Sequence, residues 1–227
     1  MAFNWQTFRT RTLTAAIFVA LMLAGLLVNR WTFFILFSLV HFGCWWEFLN
    51  LMRNIYGKKY LLNGLIGFVY ISLPFVLLIA MRNLYGIHVV SDSWDAGKIL
   101  PVMLVLSLWI NDTTAYIAGS IIGRTSLSKI SPKKTWEGTI GGIILCVLAM
   151  IFIGTKLGLT KIDSLCIALI ASIAGTFGDL LESKLKRMAG VKDSGHIMPG
   201  HGGFLDRFDS LLVATPFVWM YVFLFMH

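Results

Sequence analysis

Four acidic residues form two closely spaced pairs near the carboxyl end of the sequence. Asp179 and Glu182 are three positions apart, with Ser183 beside them, and Asp206 and Asp209 repeat that spacing. On a helix, residues three or four positions apart share one face. Carboxylates crowded near a region of low dielectric repel one another unless a cation neutralises them. Because Mg²⁺ binds carboxylates together with substrate phosphates, the pattern predicts metal-assisted phosphate chemistry.

A glycine-rich segment separates the two acidic pairs. The residues "PGHGG", 199–203, permit a tight turn and close approach of the backbone to a ligand, which suits Gly202 and Gly203 to a substrate site. His201 and the nearby His196 raise the alternative of a zinc site, but neither an H-x-x-x-H spacing nor a cysteine partner supports it. A hydrogen bond of His201 within the turn is the preferred interpretation. Four basic residues that suit phosphate groups flank the segment: Lys186, Arg187, Lys192 and Arg207.

A single carboxylate interrupts an apolar run further upstream. Asp112 stands in "WINDTTAYIAGSIIGR", 109–124, towards the predicted cytoplasmic end of its helix. An ionisable residue at that depth indicates a functional site. The alternative is a packing or capping role together with the neighbouring Asn111, Thr113 and Thr114, since such groups hydrogen-bond between helices.

Two adjacent lysines precede another apolar run. In "SKISPKKTWEGTIGG", 128–142, Ser131-Pro132 followed by Lys133-Lys134-Thr135 predicts a loop that enters a helix, with Pro132 near the first turn. Ammonium groups beside the free N–H groups of a helix N-terminus form a phosphate-binding environment. An ordinary basic loop on the cytoplasmic side is the alternative, and Glu137 with the glycines that follow argues against it.

The elements that must hold these residues are membrane helices. The chain has 227 residues, a mean hydropathy of +0.79 and 13% charged residues, whereas a soluble domain carries roughly a quarter. Apolar runs of about 17 to 25 residues are long enough to cross a bilayer as helices. We therefore expect an all-α bundle of about seven transmembrane helices in one membrane domain, 1–227, with N-terminal helices over 1–98 and catalytic helices and loops over 99–227. The predicted spans are 13–29, 31–52, 61–81, 99–119, 137–155, 164–183 and 208–226.

The basic residues predict the orientation. With the N-terminus in the cytoplasm, the outer side holds five of the nineteen lysines and arginines and the cytoplasmic side holds the other fourteen, as the positive-inside rule requires. The net charge of +8 is thus explained by topology and anionic headgroups, and no nucleic-acid partner is expected. Eight of the eleven acidic residues fall on the same cytoplasmic side, which lipid binding alone does not explain.

These motifs resemble those of the phosphatidate cytidylyltransferases, or CDP-diacylglycerol synthases. The resemblance covers about residues 105–215. Its main block is Ser183-x-x-Lys186-Arg187, then Lys192-Asp193-x-Gly195, then Pro199-x-His201-Gly202-Gly203-x-x-Asp206-Arg207-x-Asp209. Two upstream blocks are Asp112-x-x-Ala115-Tyr116-x-x-Gly119 and Ser131-Pro132-x-Lys134-Thr135-x-x-Gly138-x-x-Gly141-Gly142. The chain is shorter than many relatives, and Met198 replaces another apolar residue.

The resemblance implies the reaction of CTP with phosphatidate to give CDP-diacylglycerol and diphosphate. It also implies a homodimer in a bacterial inner or plasma membrane, with a metal-containing cavity open to the cytoplasm. Asp179 and Asp206 would hold Mg²⁺ and a possible second cation, with Asp112, Glu182 and Asp209 as additional ligands. Lys186 and Arg187 join Asp179, Asp206 and Asp209 as expected catalytic residues. Ten residues are expected to meet the triphosphate or the lipid phosphate: Lys133, Lys134, Ser183, Lys186, Arg187, Lys192, His201, Gly202, Gly203 and Arg207.

Two other functions compete with this interpretation. A CTP-dependent kinase of polyprenol or phytol type would transfer the γ-phosphate to a lipid alcohol and release CDP; the completeness of the signature argues against it. An anion transporter would use Asp112 and Asp179 as intramembrane charges. Transporters carry polar residues along the whole path and often internal repeats, whereas the outer halves of these spans are nearly free of charge.

Overall fold

A computed structural model describes residues 5–83, 96–197 and 202–226. Within these ranges the regular elements are helices, apart from one isolated antiparallel bridge between Ser126 and Thr135. The fold class predicted from hydropathy is therefore confirmed: the protein is an all-α integral membrane protein. The helices are α1 (Trp5–Leu27), α2 (Arg30–Tyr56), α3 (Tyr60–Gly64), α4 (Leu73–Arg82), α5 (Ala96–Ile122), α6 (Trp136–Lys156), α7 (Lys161–Met188) and α8 (Leu205–Phe225).

Each predicted span coincides with helical structure. In the part of the chain that the structure describes, five helical stretches are long and apolar enough to cross a membrane, namely Arg30–Gly64, Gly97–Ile122, Trp136–Lys156, Lys161–Met188 and Leu205–Phe225. Two shorter apolar helices, Thr12–Leu27 and Phe68–Arg82, correspond to the first and third predicted spans. Side chains such as Trp31, Trp46 and Phe152 are exposed on the helix surfaces, as expected where lipid replaces water.

Local sequence signals explain where several helices begin. Asn29 caps α2: its side chain accepts a hydrogen bond from the Thr32 backbone N–H at 2.8 Å, and the Thr32 hydroxyl accepts one from the Asn29 backbone at 3.1 Å. Thr135 caps α6 in the same way through Gly138 N–H. The predicted helix is thus confirmed, but it begins at Trp136, so Pro132 lies in the preceding loop rather than near the first turn.

The third predicted span is not one continuous α-helix. It consists of α3, a π-helical turn over Phe68–Ser72 and α4. Gly64 and Gly67 weaken the helix at this point, and Pro74 lacks the N–H that an uninterrupted α-helix would use. The Ser72 hydroxyl lies 3.0 Å from His41 Nε2 and accepts a hydrogen bond from Trp45 Nε1 at 2.9 Å, so polar side chains of α2 hold the π-helical turn.

The chain forms two compact units. Unit 1 comprises Met1–Ser72 and Leu185–Phe208, and unit 2 comprises Leu73–Lys184 and Asp209–His227. Unit 1 packs Phe208 against the rings of Phe18 and Phe37, with centroids 6.0 and 6.4 Å apart. Unit 2 is built on α5, α6, α7 and the greater part of α8, with buried residues such as Met103 and Ala171.

Candidate functional site

Close packing of α7 on α8 brings the acidic residues of unit 2 together. A side chain at Gly178 would overlap the backbone of Asp209 and Ser210, and one at Gly175 would overlap Leu108 and approach Ser210. Glycine at these positions allows the backbones to approach closely. Asp209 therefore lies beside the face of α7 that carries Asp179.

Three carboxylates form one cluster, the acidic cluster, in unit 2. One oxygen from each of Asp179, Glu182 and Asp209 lies within 4.8 Å of the other two. Glu182 is fully buried and Asp209 is 7% exposed, while the Asp179 side chain is 27% exposed. Buried carboxylates at this spacing need positive charge nearby, and a set of hard oxygen donors matches the ligand preference of Mg²⁺. The residues present therefore fit a divalent cation.

Lys134 supplies positive charge to the acidic cluster. Its Nζ forms an ion pair with Asp179 Oδ2. Burial lowers the pKa of the Lys134 ammonium, while the carboxylates of Asp112 and Asp209 act in the opposite direction. Lys134 immediately precedes Thr135, the N-cap of α6, so the ammonium group and the N-terminal N–H groups of a helix belong to the same short segment, as predicted.

A short hairpin between α5 and α6 fixes the position of Lys134. Leu127 N–H donates to the Lys134 carbonyl at 2.7 Å, and Trp136 N–H donates to the Thr125 carbonyl at 2.9 Å. The Glu137 carboxylate accepts hydrogen bonds from the backbone N–H groups of Arg124 and Thr125 at 3.1 Å. Glu137 thus orders the loop rather than joining the acidic cluster.

The glycines that follow Lys134 pack helices together. A side chain at Gly138 would overlap Gly119, and one at Gly142 would overlap the backbone of Ala115. The Thr114 hydroxyl also donates to the Gly142 carbonyl at 3.1 Å. Small residues one turn apart on α5 and α6 allow close contact between the helices, which fixes the two ends of the hairpin relative to each other.

The other predicted residues of unit 2 lie outside the acidic cluster. Asp112 is exposed on α5, and its charge acts on Lys134. Lys133 is exposed and Ser183 is half-buried. Lys133 and Ser183 remain predicted substrate contacts, and Asp112 remains a predicted additional metal ligand.

A second polar network, the loop network, lies in unit 1 and centres on Asp206. Oδ1 accepts a hydrogen bond from Lys186 Nζ at 2.5 Å. Oδ2 accepts from Ser194 N–H at 2.8 Å, from the Ser194 hydroxyl at 2.9 Å and from Gly203 N–H at 2.8 Å. Gly202 has a φ of +82°, which disfavours other residues. The carboxylate therefore closes the loop before α8, and its metal-binding role stays a prediction.

The remaining predicted residues of unit 1 are mostly on the surface. Arg187, Lys192 and Arg207 are exposed, while Gly203 is buried. Exposure leaves the three basic side chains accessible to anionic substrates. His201, predicted to hydrogen-bond within the turn, lies outside the described residues.

Sequence reasoning overlooked Glu47 as a site residue. It is 5% exposed on α2, and its carboxylate accepts hydrogen bonds from Phe204 N–H at 2.9 Å, Leu205 N–H at 2.8 Å and the Ser194 hydroxyl at 2.7 Å. The signal was available, because Glu47 is the sole acidic residue in the 27 residues of α2. A carboxylate inside an apolar span indicates function by default, but the aromatic residues beside Glu47 are also typical of a membrane interface.

Comparison with known proteins gives a consistent picture. The phosphatidate cytidylyltransferase of Bacillus subtilis (strain 168) is 43% identical over 160 residues, which cover 69% of this chain and 56% of that protein. The protein of the same name from Haemophilus influenzae is 37% identical over 199 residues, covering 82% and 68%. The one from Rickettsia typhi is 33% identical over 225 residues, covering 95% and 92%. The chain thus spans little more than half of the Bacillus protein and nearly all of the Rickettsia protein.

A family model extends over both units. The model described as the cytidylyltransferase family matches residues 59–225. That range contains the hairpin with Lys134, the acidic cluster and the Asp206 loop. The chain belongs to the cytidylyltransferase family.

Proposed function

We propose that the protein transfers the cytidylyl group of CTP to phosphatidate, giving CDP-diacylglycerol and diphosphate for phospholipid synthesis. The observation that carries the proposal is the acidic cluster with Lys134 paired to Asp179. The names of the relatives support the choice of substrates. The membrane-embedded fold supports a lipid acceptor, because the phosphate of phosphatidate lies at the headgroup level while its acyl chains stay in the bilayer.

The chemistry asks for positioning and charge neutralisation. A phosphate oxygen of phosphatidate attacks the α-phosphorus of CTP, the bond to the bridging oxygen of the β-phosphate breaks, and diphosphate leaves. Asp179, Glu182 and Asp209 would hold Mg²⁺, which when bound neutralises charge on the nucleotide phosphates and the leaving group. A second cation at Asp206, expected from the resemblance, would have to compete with Lys186 for Oδ1.

Side chains of the protein bind and position the phosphate groups of the two substrates. Lys134 holds phosphate charge at the N-terminus of α6 and releases Asp179 from its ion pair when the nucleotide arrives. The hairpin fixed by Glu137 keeps the Lys134 backbone in place, so the arrangement is set before the reaction. Exposed Lys133 suits the same triphosphate. Arg187, Lys192 and Arg207 of unit 1 suit phosphate contacts, with the division between CTP and phosphatidate left to measurement.

Incubation of purified full-length protein in detergent with base-labelled CTP, phosphatidate and Mg²⁺ tests the proposal. The expected result is a lipid-soluble product that contains cytidine, formed only when phosphatidate and Mg²⁺ are both present. Dolichol or phytol replaces phosphatidate in a parallel reaction. Phosphorylation of the alcohol together with release of CDP would favour a lipid-alcohol kinase instead.

Lys134→Ala is expected to raise the KM for CTP more than the KM for phosphatidate. The ammonium group is removed from a helix N-terminus beside the acidic cluster, where a triphosphate gains most from it. Steady-state kinetics with each substrate varied in turn measure the two constants. Lys129→Ala is the matched control, because it removes the same charge at an exposed position of the same loop that is not among the expected substrate contacts. A larger change in the KM for phosphatidate would assign Lys134 to the lipid.

The hairpin is expected to face the cytoplasm of a bacterial inner or plasma membrane. In this orientation a cysteine at exposed Lys129 reacts with an impermeant thiol reagent only in inverted vesicles or lysed cells. A cysteine at exposed Lys161, on the other predicted side, reacts from outside intact cells. The native Cys44 and Cys146 are buried, and the half-buried Cys166 is replaced by serine in both proteins to limit background labelling. The opposite labelling of the two positions would reverse the topology.

The homodimer expected from the resemblance is part of the same proposal, and the mass of the detergent-solubilised protein tests it.

A further inference from the structure

Glu47 connects α2 to the start of α8. The carboxylate oxygens of this α2 residue accept the N–H groups of Phe204 and Leu205, and Leu205 is the first residue of α8. The first N–H groups of a helix have no partner inside the helix. Ser, Thr, Asp or Asn at the residue before the helix would normally provide an acceptor. Phe204 occupies that position and has none.

The Glu47 carboxylate therefore caps α8 from a distant helix. A negative charge is also favourable at the positive end of the helix dipole. The carboxylate lies directly against two glycines, because a side chain at Gly195 or Gly203 would overlap the Glu47 oxygens. The glycines of the signature loop are thus required, in part, by Glu47.

One hydroxyl joins Glu47 to the Asp206 network. Ser194 Oγ lies 2.7 Å from Glu47 Oε2 and 2.9 Å from Asp206 Oδ2. Asp206 in turn accepts Gly203 N–H and pairs with Lys186. The two carboxylates consequently hold the same segments from both sides. Asp206, Lys186 and Gly203 belong to the residues expected to take part in the reaction, whereas Glu47 and Ser194 do not.

We propose that Glu47 is a positioning residue that fixes Ser194 and the segment 203–205, and through them Asp206 and Lys186, in the geometry needed for cytidylyl transfer. The inference rests on the proposed function for its activity readout. Glu47 acts through backbone N–H groups and Ser194, and it touches neither substrate. Displacement of reacting groups by about 1 Å can reduce a rate about a hundredfold, so loosening this loop should lower kcat more than it raises either KM.

Glu47→Gln is the decisive variant. Its size is unchanged, but the new NH₂ group must face one of the two backbone N–H donors, so one hydrogen bond is lost. We expect kcat to fall at least tenfold, with each KM changed less than threefold. Ser194→Ala keeps both backbone bonds and removes only the bridge, so a smaller fall is expected. Phe48→Leu is the control: the neighbouring side chain is 1% exposed and packs on Trp45 and Tyr70, so stability falls while kcat per folded molecule stays unchanged.

Hydrogen exchange measured without substrate separates the inference from the proposed function. In Glu47→Gln the amides of 203–205 should exchange at least tenfold faster than in the wild type, and in Phe48→Leu they should not. Equal exchange in Glu47→Gln and the wild type would overturn the positioning role, whatever the activity. Faster exchange with an unchanged kcat would also overturn it. A wild-type protein with no cytidylyl transfer would instead refute the proposed function, while the capping of α8 by Glu47 would still be tested by the exchange rates.

Discussion

Replacing Asp206 by asparagine is expected to reduce cytidylyl transfer by about a hundredfold or more, which corresponds to about 2.7 kcal/mol of transition-state stabilisation. Asparagine keeps the size of the side chain but removes the charge that pairs with Lys186. An NH₂ group in the place of Oδ2 could not accept the hydrogen bonds that this oxygen receives from Ser194 and Gly203. Turnover by purified protein at saturating CTP and phosphatidate measures the loss.

Asp193→Asn is the matched control for this variant. Asp193 lies in the same loop and is exposed, so the same change should leave activity within a few-fold of the wild type. Partial recovery of Asp206→Asn at high Mg²⁺ would indicate a direct cation ligand, because weaker binding is offset by mass action. Faster hydrogen exchange at Ser194 and over 203–205 without such recovery would indicate that Asp206 acts by holding these two segments together. A folded Asp206→Asn protein with near-full activity at low Mg²⁺ would remove Asp206 from the site.

Glu182→Gln is expected to have an effect of similar size for a different reason. Glu182 is fully buried and lies with Asp179 and Asp209 in the acidic cluster, so its carboxylate is well placed to help hold a cation there. Loss of one charged ligand should lower kcat by about a hundredfold and raise the Mg²⁺ concentration for half-maximal activity at least tenfold. Mn²⁺ binding followed by electron paramagnetic resonance gives a readout that does not depend on turnover.

Asp163→Asn is the control for Glu182→Gln. Asp163 lies in the first turn of α7, where it accepts hydrogen bonds from Tyr221 Oη at 2.8 Å and Thr160 Oγ1 at 2.5 Å. The variant should be less stable to heat and yet bind Mn²⁺ as the wild type does. Wild-type Mn²⁺ affinity in Glu182→Gln, in a folded protein, would show that the acidic cluster does not hold the metal.

The membrane helices could be predicted from sequence because the bilayer imposes a length and a composition on each span. The break in the third span was harder to predict. Gly64, Gly67 and Pro74 are visible in the sequence, but the π-helical turn depends on Ser72 meeting His41 and Trp45. Hydrogen bonds to a distant helix have no local signature.

The acidic cluster could be predicted only in part, because one of its contacts depends on the tertiary fold. Helical spacing alone placed Asp179 and Glu182 on one face. The approach of Asp209 depends on Gly178, which allows the α8 backbone to contact α7, and that contact is tertiary. The glycines near Lys134 are visible in the sequence, but their role was not. Gly138 and Gly142 suggested a ligand site next to the lysines, whereas in the structure they bring α5 and α6 together.

Glu47 shows most clearly which part of the site could not be predicted from the sequence. Its position in an apolar helix was a usable signal, but its partners lie about 150 residues further along the chain, at separations of 147 to 158 positions. A missing cap at Phe204 and an unexplained carboxylate on α2 are each weak observations in the sequence. Only the fold brings them together as donor and acceptor.

The position of the bond that breaks in CTP tests the account most directly. Purified wild-type protein is given phosphatidate, Mg²⁺ and CTP labelled with ³²P at either the α- or the γ-phosphorus, in parallel reactions. Cytidylyl transfer predicts that the α label enters the lipid fraction and that the γ label leaves as water-soluble diphosphate. Appearance of the γ label in the lipid with release of CDP, or no transfer of either label by a folded protein, would contradict it.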